Sequence, residues 1–233
     1  SVEGVVNKNN SVFFNKINFA ESKNLIKVKN INLNSKKKLK SIDQIDVDLV
    51  NNNDQISQLN IKRKKSNYSI NSKIFDGTKI LDRILFSKSD GNFFDVFEKL
   101  NSKISINLDT IYITNQDYLT KFKADMIVNN NQIKNLILSS QFSTKEDLKL
   151  SIKTNSNNER ITDLFAGNAK PLVKKYDFIK GFEDGYLKFD SIEKNKVSNS
   201  NLKIFDFKLK EVPALTKLLT LASLQGIADL LTG

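Results

Sequence analysis

"DLKLSIKT", Asp147–Thr154, decides the fold class. Leu148, Leu150 and Ile152 fall on one side of an extended chain, and Lys149, Ser151 and Lys153 on the other. A period of two is the signature of a β-strand with one dry and one wet face. The same alternation spreads outward in both directions. "KFKADMIV" places Phe122, Ala124, Met126 and Val128 together, and "NQIKNLILSSQF" follows after an Asn-rich turn. "KISINLDTIYIT" alternates through Ile104, Ile106 and Leu108. It then changes parity to Ile111 and Ile113, which predicts a bulge near Asp109–Thr110. Residues 103–154 therefore read as an up-and-down antiparallel meander. The earlier runs "SVFFNKINFA", "NLIKVKNINLN", "DQIDVDLV", "QISQLNIKRK" and "NYSINSKIF" alternate in the same way between short polar turns. The Lys36–Lys38 run falls in one of those turns.

Helical spacing is rare. "DGTKILDRILFSK" sets Ile80, Leu81, Ile84 and Leu85 on one face, and "FFDVFEKL" predicts a short helix before Asn101. "GNAKPLVKKYDFI" carries Pro171 near a helix start. "VPALTKLLTLASLQGIADLLTG", Val212–Gly233, predicts an amphipathic helix from about Pro213 with a break near Gly226. Its stripe is Leu215, Leu218, Leu219, Ala222 and Ile227, and it falls short of the ~20 residues of a membrane span. Strands leading to a helix occur twice, so the chain divides into a first β segment, residues 1–100, and a second, residues 101–233. Helices this scarce cannot cover both faces of a parallel sheet, so the expected fold is mainly β, an elongated antiparallel curved sheet with no parallel crossover.

Composition narrows the function. The 233 residues carry a net charge of +11, but the basic residues are almost all Lys, with arginine only at Arg63, Arg83 and Arg160. Nucleic-acid interfaces favour the bidentate guanidinium, so the charge fits AT-rich coding bias better than a nucleic-acid groove. Cys and His are both missing. That removes the disulfide scaffold, the thiol nucleophile and the commonest general base. The acidic residues are scattered. Asp43, Asp46 and Asp48 read as the wet face and turn of a strand, not as a metal site. Gly181 and Gly185 in "GFEDGYLKFDSI" read as a turn needing positive φ. No catalytic residue, metal site or cofactor is expected, and the chain is not read as an enzyme.

Two stretches carry a resemblance: "NAKPLVKKYDFIKGFEDGYLKFDSI" and "SNLKIFDFKLKEVPALTKLLTLASLQGIADLLTG". With Pro213, Leu215, Leu218, Leu219, Ala222, Ser223, Leu224, Gly226, Asp229, Leu230, Leu231 and Gly233 in order, this region resembles the C-terminal part of AsmA-like proteins, in particular their YhdP-like branch. Gly181 and Gly185 are separated where that family has adjacent glycines, and Lys217 stands where Arg is usual. The resemblance implies a fragment of a longer bacterial envelope protein. The implied setting is the periplasmic portion of an inner-membrane-anchored protein in a Gram-negative cell, linking inner and outer membranes through parts of the chain outside this sequence. The implied fold is a repeating β-groove. The implied role is bridge-like transport of phospholipid toward the outer membrane, in support of outer-membrane integrity. The partners would be phospholipid acyl chains, with no nucleic acid and no metal.

On that reading the groove is lined by Ile104, Ile106, Leu108, Phe122, Ala124, Met126, Leu148, Leu150 and Ile152. Lys121, Lys123, Lys149 and Lys153 face water, and the helix stripe from Leu215 to Ile227 caps the groove. From the residues alone, a dry face packed on a second layer as an ordinary core is an equal alternative. The competing function is a structural or adhesive cell-envelope β domain binding protein or glycan.

Overall fold

The computed structural model describes residues 1–7, 10–50, 56–78, 93–175, 181–195 and 197–210. It is mainly β. Thirteen strands form one open, curved sheet in which spatial order equals chain order. The first six are β1 (Val2–Val6), β2 (Val12–Glu21), β3 (Asn24–Leu33), β4 (Leu39–Val50), β5 (Ile56–Lys64) and β6 (Asn67–Asp76). Then come β7 (Ser102–Tyr112), β8 (Tyr118–Asn129), β9 (Gln132–Phe142), β10 (Asp147–Thr154), β11 (Arg160–Ala166), β12 (Phe182–Lys194) and β13 (Val197–Leu209). Short polar turns suit hairpin after hairpin, and Asn or Lys at positive φ closes several of them, as at Lys37, Lys65, Asn130 and Lys145.

One junction departs from the antiparallel expectation. β6 pairs parallel to β7, with Ile70 opposite Ile106 and Asp76 opposite Tyr112. A parallel neighbour cannot be reached by a tight hairpin, and residues 77–101 separate the two strands in sequence. A single sheet continues through this junction. Near Asn101 the predicted short helix is a 3₁₀ turn, Phe93–Val96. Phe97 then bridges Leu39, and Phe94 and Leu100 bury against Ile104 and Val128. The one described α-helix, α1 (Lys170–Lys175), starts where Asn168 Oδ1 accepts from the Lys170 amide at 3.2 Å. Val173 joins the buried cluster of Ala166, Phe182 and Leu187. The predicted helices over 79–92 and 212–233 lie outside the described residues, as do Leu215, Leu218, Leu219, Ala222 and Ile227.

The parity change in β7 is real: Leu108 and Ile111 are both buried, with Asp109 exposed between them. The predicted bulge is not in β7, whose register with β6 and β8 runs on unbroken. The irregularity sits one strand over. Lys121 of β8 has φ +53°, and the β8–β9 register slips between Thr120 and Lys123. A left-handed residue rotates the strand beyond it, so Leu119 turns back to the side that Phe122 and Ala124 occupy.

Candidate functional site

Directly opposed residues in neighbouring strands share a face, so register can be followed across the whole sheet. Val2 opposes Ile17, Ile17 opposes Val28, and Val28 opposes Ile45. The line continues through Ile61, Ile70, Ile106 and Ala124. It then passes Leu138, Leu150, Leu164, Phe189 and Leu202. Each of the thirteen strands contributes one apolar residue, with no polar interruption. At ~4.8 Å between strands, the row is about 58 Å long.

Its cover is uneven. Ala124 and Phe189 are 3% and 2% exposed, whereas Ile17 to Ile106, Leu138, Leu150, Leu164 and Leu202 are only half-buried. Among the described residues there is no second sheet to close over it. Residues 94–100 lie at the margin where β7 begins, called the lower margin here. Helix α1 lies toward the opposite, upper margin. Between them the row forms the floor of the apolar face of the curved sheet, called the trough from here on; a hollow of about 390 Å³ lined by Asp46, Asp48, Asn60 and Asn107 opens on the opposite, polar face.

All nine residues expected to line a groove lie on this one face. Ile104 opposes Met126, Ile106 opposes Ala124, and Leu108 opposes Phe122. Leu138 and Leu136 connect Ala124 and Met126 to Leu150 and Ile152, and Leu148 follows on the same side. Lys121, Lys123, Lys149 and Lys153 are exposed. The sequence reading missed that the trough extends through β2–β6, where Ile17, Val28, Ile45, Ile61 and Ile70 complete it. Their alternation was visible strand by strand. Their alignment was not, because register is set by turns and slips.

The trough is not wholly apolar. Below the row on β5, Arg63 opposes Tyr68, which in turn opposes Ile104, so all three face the trough. Arg63 Nη1 donates to Asp43 Oδ1 at 3.2 Å, and Asn30 Nδ2 donates to Asp43 Oδ2 at 3.0 Å. Asp43 therefore belongs to the apolar face, which corrects its assignment to the wet face. Asp46 and Asp48 are on the wet face, bonded by Asn60 and Gln58. Tyr68 packs edge-on against Phe97 at 6.4 Å, and burial pushes its phenol up from the ordinary value.

On β11, Arg160 is two residues from buried Thr162 and hence on the same face. It lies 3.8 Å from Glu193. Arg160 Nε and Glu193 Oε2 are buried and make no hydrogen bond. Thus two of the three arginines line the lower margin of the trough.

The outer face carries a different feature. Tyr186 and Phe205 stack at 4.9 Å, Phe165 joins at 6.2 Å, and Lys188 Nζ sits 5.8 Å and 5.9 Å from the first two rings. Gly185, at φ +79°, lets β12 turn so that Leu187 points into the trough and Tyr186 away from it. Nearby exposed ion pairs tie β12 to its surroundings. A hydrogen bond from Lys208 holds Asp184 below the usual carboxylate range, and one from Lys210 does the same for Glu183.

Among the described residues there is no cluster of three metal-ligating side chains, and no helix is long and apolar enough to cross a membrane. No family model matches the chain, and no curated protein or solved structure shows significant similarity to it.

Proposed function

We propose that the trough holds lipid acyl chains and that this chain is a segment of a bridge-like lipid transport protein of the AsmA-like type. The observation carrying the proposal is the unbroken apolar row across thirteen strands, left half-buried over most of its length. An ordinary core covers such a row. A lipid conduit keeps it open, because each methylene withdrawn from water is stabilised by ~0.8 kcal/mol wherever along the row it lies. A floor that stays apolar over about 58 Å therefore lets a chain slide without crossing a polar residue of the row. The family reading rests on the residues at 168–233, since the comparisons neither supply nor oppose it. On that reading the protein works in the periplasm between the two membranes and moves phospholipid toward the outer one. It acts as a repeating β-groove, needing no metal and no chemistry.

Photo-crosslinking residues at Leu150 and Met126 test the proposal. They are expected to capture phospholipid, while the same probe at Lys149 and Lys123 captures none. Equal capture at both pairs, or capture at neither, refutes it.

One observation favours a second reading. The half-buried Phe165, Tyr186 and Phe205 rings beside Lys188 form an aromatic shelf on the outer face, of the kind that an adhesive envelope domain presents to protein or glycan. Replacing Tyr186 and Phe205 by Ser separates the two. Lipid capture at Leu150 persists if the trough is the site, and only surface adhesion falls if the shelf is.

A further inference from the structure

We infer that the trough orients its lipid, with phosphate-bearing head groups held at the lower margin by Arg63 and Arg160; this rests on the acyl-chain reading of the trough. The two flanks of the apolar row differ. Immediately above the row, the inward residues of β3, β4 and β5 are Ile26, Val47 and Leu59. Below it lie Asn30, Asp43, Arg63 and Tyr68, and further along the same flank Thr162, Arg160 and Glu193. An amphipathic ligand lying along the row finds apolar contacts on the upper flank of β3–β5 and hydrogen-bond donors at two places on the lower flank, separated by the apolar stretch Ile104, Met126, Leu136 and Ile152 on β7–β10.

Both arginine side chains are part-exposed, at 31% each, and each guanidinium has more N–H donors than its one carboxylate partner takes up. Arg presents a planar fork that grips phosphate through two parallel bonds, which Lys cannot do. The nearby turns add Lys36, Lys37, Lys64 and Lys65, all exposed at the same margin. Their field favours an anion approaching from that side. Each arginine is balanced by one carboxylate, Asp43 or Glu193. The pairing keeps the empty trough from carrying a bare charge beside its apolar floor. A phosphate oxygen then competes with a carboxylate for donors already in place. β5 and β11 are six strands apart, about 29 Å at ~4.8 Å per strand, so the two arginines form separate stations along one path.

The test uses the chain with a photoreactive residue at Leu150 and two probes sharing the same acyl chains, dimyristoyl phosphatidylglycerol and dimyristoylglycerol. The expected result is about tenfold greater capture of the phospholipid, a ratio that one charge-assisted contact supplies. R63Q/R160Q is expected to bring the ratio close to one without lowering dimyristoylglycerol capture, and R63K/R160K to restore part of it. Asp43→Asn, which frees Arg63, is expected to raise the ratio and keeps the test open should the double variant fail to fold. Equal capture of both lipids by the unsubstituted chain, with no change in any variant, overturns the head-group assignment and leaves the trough standing. Capture of neither lipid overturns the trough itself.

Discussion

Truncating Leu150 to alanine distinguishes an open trough from a covered core. Leu150 lies mid-row between Leu138 and Leu164, half-buried, with contacts to its sides and none from a second sheet among the described residues. Full burial of a leucine is worth ~1.5–3 kcal/mol, and the share kept by a partly exposed one is about 1–2 kcal/mol. No closed cavity forms when one wall is open, so the cavity penalty does not apply. Leu187 is the internal standard. It is 5% exposed and sits in the cluster that α1 closes. Its truncation carries the full core cost of ~2–5 kcal/mol.

The assay is urea unfolding of both variants with a shared slope, so that the midpoints report stability alone. A second arm adds dimyristoyl phosphatidylcholine at about 100 times its dissociation constant, which is expected to stabilise the parent chain by ~2.7 kcal/mol. Leu150→Asp is expected to lose most of that gain. If Leu150→Ala costs as much as Leu187→Ala, at 3 kcal/mol or more, the row is a packed core and the conduit argument fails.

Three further outcomes follow from local geometry and charge. At Lys121, with φ +53°, a Gly substitution is expected to be neutral or stabilising by up to about 1 kcal/mol, while Val costs ~1–2 kcal/mol; the reverse order in thermal unfolding contradicts the left-handed assignment. Gly185→Ala is expected to destabilise by more than ~1 kcal/mol, because its φ is +79° and a Cβ would meet Phe205 O at 2.7 Å; an unchanged midpoint refutes this. Asp184 and Glu183 have lowered pKa values from Lys208 and Lys210, so their contribution is present above about pH 4 and is lost as the pH falls through the lowered values. Amide exchange in β13, corrected for intrinsic rates, is therefore expected to quicken between pH 5 and pH 3 and to be insensitive between pH 6 and pH 8.

How much of this was legible beforehand differs from element to element. In "DLKLSIKT" the alternation alone settled which side chains share a face, because side-chain direction in a strand is fixed by the backbone within two residues. The same held for Phe122, Ala124 and Met126, and for the polar exposure of Lys123 and Lys149. Pro171 marked the start of α1 and the glycines of "GFEDGYLKFDSI" marked positive φ, since both act through their own dihedrals.

Asp43 was misassigned for a related reason. It follows the parity of Ile45 and Val47, but its charge suggested the wet face, and only its cross-strand neighbour Arg63 makes a trough-facing position tenable. The parallel β6–β7 pair was equally hidden. A strand looks the same in sequence whichever way its neighbour runs, so nothing within β6 or β7 announced the direction of their pairing. Periodicity, then, fixed the class of fold and the dry face of each strand, because those are local properties of an extended backbone. Tertiary structure decided that thirteen dry faces line up into one row. That alignment depends on turn geometry, on the slip at Lys121 and on pairings between residues far apart in sequence, none of which has a local signature.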